Sequence, residues 1–165
     1  MRRCVILLGG NVGDTRGRFA EARELIESKI GEIVDCSTEH STEAWGFESQ
    51  TRFWNQAVAV ESDLTAEDLL SATQSIEQEI GRDRERESLE KLSTQQRYAS
   101  RVIDIDIITY GEEVVDLPQL QIPHPLMSER AFVLEPMAEI CADWRHPILG
   151  KSTAEMLQEL LVISY

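Results

Sequence analysis

The chain has little that points to a membrane, an oxidising compartment or nucleic acid. Its apolar runs all fall well short of the ~20 residues of a membrane span. Met1–Gly10 carries one short apolar run that ends in glycine, which reads as a first strand and not as a secretory leader. Cysteine is scarce and odd in number. Cys4, Cys36 and Cys141 stand far apart, and none forms a CxxC pair. That spacing suggests neither a disulfide framework nor a zinc cluster, and free thiols in a reducing compartment are expected. The phosphate-loop spacings GxGxxG and GxxxxGKS/T are missing. Gly9-Gly10-Asn11-Val12-Gly13-Asp14 therefore reads as a tight turn into a helix, with Asp14 or Thr15 as its N-cap. No Ser/His/Asp or Cys/His spacing suggests a catalytic nucleophile. Positive charge is also in short supply. The net charge of −14 argues against general nucleic-acid binding and against docking on anionic membranes. An anionic ligand would have to be met locally, by clustered arginines or by metal. The cations are in fact uneven: Arg82, Arg84, Arg86, Lys91, Arg97 and Arg101 place 6 of the 16 Lys and Arg in one segment.

What is present is enough for one domain, residues 1–165, with a real core. Arg3–Leu8 is a continuous apolar run suited to a central strand. Phe19, Ala22, Ile26 and Ile30 recur at helical spacing, and Gly31 closes that helix. Glu32–Ser41 and Phe53–Glu61 read as strands, with Thr42–Arg52 as a loop between them. Thr65-Ala66-Glu67-Asp68 opens a second helix in capping-box style. That helix is expected to stop at Gly81. Arg82–Ser100 is then a long polar loop, the kind that forms lids over ligands. A strand over Ile103–Tyr110, a short return strand at Val114-Val115, and helices near Glu129–Ile140 and Ser152–Leu161 complete the chain. The order βαββαβ predicts an α+β sandwich of ferredoxin-like type: a mostly antiparallel sheet with helices packed on it, plus a C-terminal hairpin and helices.

The most informative stretch runs from Arg97 to Tyr110. Ile103, Ile105 and Ile107 alternate with Asp104 and Asp106, so a strand sends the isoleucines to one face and both aspartates to the other. The aspartate Cα atoms then sit about 6.6 Å apart, and two bare carboxylates at that spacing repel. Two readings fit: a solvated acidic face, or a hard-cation site. Mg²⁺ takes one or two carboxylates and completes its shell with water and substrate phosphates. Arg97 and Arg101 just upstream could meet those phosphates. Elsewhere, Asn55 offers a donor and an acceptor that could read a heterocyclic edge. Phe53 and Phe132 could sandwich a flat ring. Gln74 and Glu77 share a helix face. His124 is confined between Pro123 and Pro125. Taken singly, each of these also fits an ordinary structural role.

Taken together, the residues resemble the 6-hydroxymethyl-7,8-dihydropterin pyrophosphokinase family of folate biosynthesis. The resemblance runs from Gly9-Gly10-Asn11 to Ala138-Glu139-Ile140. Its strongest piece is Arg101-Val-Ile-Asp104-Ile-Asp106-Ile-Ile, which looks like the family's Arg-x-Leu-Asp-Leu-Asp-Ile signature. Phe53-Trp-Asn55-Gln-Ala-Val, Gln74-Ser-Ile-Glu77, Gly81-Arg82-Asp-Arg84 and Ile122-Pro123-His124-Pro125 follow in the family's order. The resemblance implies transfer of pyrophosphate from ATP to the hydroxymethyl oxygen of the pterin, with release of AMP. It implies two Mg²⁺ held by Asp104 and Asp106, and catalytic cations at Arg82 and Arg101. It assigns ATP contacts to Gln74, Glu77, Arg84, Arg97, Arg101, His124 and Arg130. It assigns pterin contacts to Thr42, Trp45, Phe53, Asn55 and Phe132. The protein is expected to act as a cytoplasmic monomer with no membrane or nucleic-acid partner.

The chain departs from the pattern in places. Thr42-Glu43-Ala44-Trp45-Gly46 replaces the usual Thr-Pro-Pro-x-Gly. Tyr98 stands where the lid usually has tryptophan, the lid is several residues longer, and Pro125 follows His124 where tyrosine is common. Two other classes share parts of the pattern. A nucleotide-sensing module would bind ATP and Mg²⁺ without turnover, and an RNA-binding sheet domain would need a basic face that this chain lacks.

Overall fold

The apolar run near the N-terminus becomes the centre of an antiparallel sheet. In the computed structural model, residues 1–11, 14–43, 52–91 and 103–163 are described. The strands are β1 (Arg2–Gly10), β2 (Glu32–Cys36), β3 (His40–Glu43), β4 (Arg52–Ser62) and β5 (Asp104–Tyr110), with β6 (Val115–Leu117) and β7 (Leu120–Ile122) as a separate hairpin. The helices are α1 (Thr15–Lys29), α2 (Ala66–Lys91), α3 (Ala131–Cys141) and α4 (Thr153–Ile163). The main sheet has the order β2-β4-β1-β5, with β3 extending the ladder on β4. Every pairing is antiparallel. This is the ferredoxin-like arrangement expected from the element order. Among the described residues no helix is long and apolar enough to cross a membrane.

The two faces of β1 supply two cores. Cys4, Ile6 and Leu8 point toward α1 and α2, where Phe19, Ala22, Ile26, Leu69, Ile76 and Ile80 are buried. Val5 and Leu7 point the other way, with Ala57 and Ile108, under Val133, Leu134 and Met137 of α3 and Met156 of α4. The C-terminal helices thus cover the second face of the sheet. On β5 the alternation is interrupted where the register shifts between Val5 and Ile6. Ile107 faces the first core and Ile108 the second. The Val5 N–H at that shift is accepted by the buried Thr109 hydroxyl at 3.1 Å. A polar residue in the middle of an apolar strand is therefore satisfied at the irregularity that requires it.

Several boundaries differ from the sequence expectation. Gly9 and Gly10 are the last residues of β1 and not a turn. The single strand expected over Glu32–Ser41 is two, broken at Ser37. There the Ser37 N–H bonds the Ala57 carbonyl at 2.9 Å, while the Ser37 hydroxyl accepts the Ala57 N–H at 3.0 Å. Thr42 and Glu43 belong to β3. Val115 pairs with Ile122 in the β6–β7 hairpin, so this segment does not return along β5.

The largest correction is at α2, which does not stop at Gly81. It runs to Lys91, through Arg82-Asp83-Arg84-Glu85-Arg86-Glu87-Ser88-Leu89-Glu90. Arg, Glu, Leu and Lys are good helix formers, and their propensity carries the helix where no apolar stripe continues it. Gly81 does not have the positive φ of a helix-terminating glycine.

The two glycines expected to close helices can be told apart by what a methyl group would meet. At Gly31 it would lie 2.0 Å from the Glu61 carbonyl oxygen, so the backbone approach of α1's exit to β4 requires glycine. At Gly81 it would meet nothing within 4 Å among the described residues. Gly31→Ala is expected to destabilise the fold by roughly 1–3 kcal/mol. Gly81→Ala is expected to stabilise it by about 0.5–1 kcal/mol, as for a helix interior. Urea unfolding of both variants checks the pair. A destabilised Gly81→Ala would contradict the continuous helix.

Candidate functional site

The second face of the sheet changes character along its length. Near α3 and α4 it is apolar, but beyond Leu7 and Ala57 it carries Asn55, Gly9, Asp104 and Asp106. The register brings these together. Asn55 pairs with Gly9, and Gly9 with Asp104, so the three form one row across β4, β1 and β5. The next row is Ala57, Leu7 and Asp106. Two strand spacings put the Asn55 and Asp104 backbones about 10 Å apart. The residue between them has no side chain. A methyl group on Gly9 would come within 3.0 Å of the Asn55 side-chain oxygen. A glycine inside a strand often marks a close approach of this kind. Gly9 was legible as a glycine but not as the floor of a site, because its place in a strand was not.

Asn55 is buried, which excludes the ordinary exposed-strand role. Its neighbour on β3 is His40, and Thr42 pairs with Phe53. Phe53 and Phe132 are 42% and 37% exposed, unusual for phenylalanine and compatible with rings kept open for a ligand. Phe132 stands in the first turn of α3, and the Arg130 guanidinium lies 5.5 Å from its ring centre.

The aspartates stand on an edge strand whose outward polar groups are taken up. Asp104 is half-buried and Asp106 exposed, between the buried Ile103, Ile105 and Ile107. Glu77 on α2 accepts the Ile105 N–H at 2.7 Å, between the two aspartates. The His124 N–H bonds the Ile108 carbonyl at 3.0 Å. Helix α2 and the loop after β7 therefore clamp β5 on its free side, which also prevents it from pairing with another strand. His124 Nδ1 accepts the Leu126 N–H at 3.2 Å, so in the neutral ring the proton is on Nε2. Burial holds this imidazole below its ordinary value. The Asp106 carboxylate pulls the other way, and the Arg130 cation adds to the lowering. Asp106, His124 and Arg130 thus share one electrostatic neighbourhood.

The structure brings together Thr42, Phe53, Asn55, Asp104 and Asp106 by register, and Glu77, His124 and Arg130 around β5. Gln74 is exposed on α2, one turn before Glu77. Arg82 and Arg84 lie along α2 and not in a loop. Trp45, Arg97 and Arg101 fall outside the described residues, as does the 92–100 part of the expected lid.

Among the described residues no cluster of three or more His, Cys, Asp or Glu could enclose a metal. Two carboxylates on one strand face suit Mg²⁺, which takes few protein ligands and fills its shell with water and phosphate oxygens. Asp104 and Asp106 fit that use.

Fold and face define a class: a ferredoxin-like α+β protein with a polar end to one face of its sheet. The family model of 7,8-dihydro-6-hydroxymethylpterin-pyrophosphokinase (HPPK) matches residues 5–142. A 2-amino-4-hydroxy-6-hydroxymethyldihydropteridine pyrophosphokinase of Porphyromonas gingivalis is 38% identical over 141 residues, 85% of this chain and 90% of that relative. The Methylorubrum extorquens protein of the same name is 38% identical over 161 residues, 97% of this chain and 94% of the relative. The chain belongs to the HPPK family. A crystal structure of Plasmodium falciparum HPPK-DHPS shares the fold, with a TM-score of 0.77 at 14% identity, and covers 97% of this chain. This chain spans 45% of that longer one.

The Glu77 contact generates a stability test. Glu77→Ala leaves the Ile105 N–H without its charged acceptor, at an expected cost of about 1.5–3 kcal/mol. Amide exchange at Ile105 should accelerate in the variant. Unchanged protection there would mean that α2 does not hold the edge of β5.

Proposed function

We propose that this chain transfers the pyrophosphoryl group of ATP to the hydroxymethyl oxygen of 6-hydroxymethyl-7,8-dihydropterin, in folate biosynthesis, and releases AMP. The observation that carries the reading is the row Asn55–Gly9–Asp104, with Asp106 in the next row. It sets a group able to read a heterocycle beside a carboxylate pair able to hold a phosphate-bound cation, with a bare backbone between.

The residues divide into two halves. On the β3–β4 side, the Asn55 amide gives and accepts hydrogen bonds along the pterin edge, and Thr42 adds a hydroxyl. Phe53 and Phe132 offer faces to the flat ring, each stack contributing ~0.5–1.5 kcal/mol beyond burial. By resemblance, Trp45 belongs to this half. On the β5 side, Asp104 and Asp106 would hold Mg²⁺, two ions by resemblance. The cation, when bound, neutralises phosphate charge and aligns the triphosphate. His124 offers its Nε2–H and Arg130 its guanidinium to the nucleotide, with Gln74 and Glu77 along α2. By resemblance, Arg82, Arg84, Arg97 and Arg101 supply further positive charge, and the same resemblance assigns Arg82 and Arg101 to the transferring group.

The hydroxymethyl oxygen attacks the β-phosphorus in line with the departing AMP. The new bond is oxygen to β-phosphorus. The bond broken joins the β-phosphorus to the oxygen that leaves on AMP, and the hydroxyl proton is lost. Such transfers need little covalent help from the protein and gain most from positioning and charge neutralisation. The pterin half and the phosphate half share one rigid sheet, and this supplies the positioning.

Two outcomes are expected. With ATP, Mg²⁺ and the pterin alcohol, Asp104→Ala or Asp106→Ala should lower AMP formation by roughly 10²–10³-fold or more. Chromatography of the nucleotide products measures this, and undiminished AMP would refute the carboxylate assignment. Gly9→Ala crowds the Asn55 oxygen at 3.0 Å. It should raise the KM for the pterin several-fold, about 1 kcal/mol, while the KM for ATP moves little. An unaltered pterin KM would remove Gly9 from the site floor.

A further inference from the structure

Strand β3 has only four residues and pairs on one side only, with β4. An edge strand this short is marginal by itself. Its anchor is a side chain from another layer. The Glu139 carboxylate on α3 accepts the Thr38 N–H at 2.8 Å, and the Thr38 hydroxyl lies 3.1 and 2.9 Å from its two oxygens. The His40 ring nitrogen Nε2 contacts the same carboxylate. An ionised carboxylate has no proton to give, so this nitrogen bears it. The donors around Glu139, with Thr38 first, hold its carboxyl below the usual range against the opposing effect of burial. One acidic group thus gathers the break between β2 and β3 together with the first residue of β3.

The position of these contacts gives them a consequence for the site. His40 pairs with Asn55, and Thr42, two residues on, pairs with Phe53. Glu139 lies seven residues after Phe132, two helical turns along the same stripe of α3. The buried Val133, Leu134 and Met137 seat that helix on the sheet. The carboxylate therefore ties the strand that carries Thr42 to the helix that carries Phe132.

We propose that Glu139 is a positioning residue for the pterin half of the site. It pins β3 to α3, and so fixes the distance between the Thr42–Phe53–Asn55 wall and the Phe132 ring before the heterocycle enters. This rests on the function proposed above. A ligand that inserts between two prebuilt walls does not have to order them, so loss of the pin should weaken pterin binding selectively.

The test uses the full chain with three variants. Glu139→Gln removes the charge that all three donors share. Thr38→Val removes one hydroxyl donor at nearly constant shape, and Thr38→Ser restores it. Steady-state KM values for 6-hydroxymethyl-7,8-dihydropterin and for ATP are measured beside amide exchange at Thr38. Glu139→Gln is expected to raise the pterin KM about tenfold, the loss of one charge-assisted hydrogen bond. The ATP KM should stay within about twofold, and the Thr38 amide should lose protection. Thr38→Val should raise the pterin KM about threefold on the same scale, with Thr38→Ser close to the wild type. A pterin KM unchanged in both Glu139→Gln and Thr38→Val, or an ATP KM that rises in step with it, would overturn the positioning role and leave the pyrophosphokinase reading intact. A wild-type chain that forms no AMP with the pterin alcohol would overturn that reading, and this one with it.

Discussion

The two faces of β5 are committed to opposite environments by the period of the strand. Ile103, Ile105 and Ile107 enter the core under α1 and α2, so Asp104 and Asp106 have no choice but the other face. A slip of one residue would bury both carboxylates and expose the isoleucines, at a cost far beyond the stability of a domain this size. The pairing with β1 fixes this register, and Glu77 and His124 hold the free edge. The spacing of the two acids is thus determined by the core behind them.

The same logic divides the opposite face. Val5, Leu7, Ala57 and Ile108 require a cover, which α3 and α4 supply. The polar row Asn55–Gly9–Asp104 lies beyond that apolar set. The chain carries a net charge of −14, so a polyphosphate is repelled at long range. By resemblance, the cations that would receive it are Arg82 and Arg84, in the sequence of α2, and Arg97 and Arg101, shortly before β5 in the chain. Local arrangement here outweighs overall charge, because screening limits the long-range term to about 10 Å.

Much of this was legible beforehand. The Ile–Asp alternation on β5 gave both the strand and the shared face of the aspartates. The 3.6-residue spacing of Phe19, Ala22 and Ile26 gave α1, and the Thr65 cap gave the start of α2. Where the reading failed, a local signal met a tertiary one. Gly81 looked like a helix stop, but glycine is only weakly unfavourable in a helix, and the strong formers after it carry α2 to Lys91. Gly9 and Gly10 looked like a turn, yet both pair with β4, and Gly9 also with β5, which keeps them extended. Thr38, His40 and Glu139 carried no signal at all, since their contact joins residues about a hundred positions apart.

The central claim is that one sheet face holds the heterocycle at Asn55 and the phosphates at Asp104 and Asp106, with Gly9 between. A crystal structure with Mg²⁺, a non-hydrolysable ATP analogue and 6-hydroxymethylpterin tests it most directly. The account predicts both carboxylates at about 2.0–2.1 Å from metal, the pterin edge on the Asn55 amide, and its hydroxymethyl group over Gly9 toward the triphosphate. A nucleotide seated away from β5, or a pterin that leaves Asn55 untouched, would contradict it.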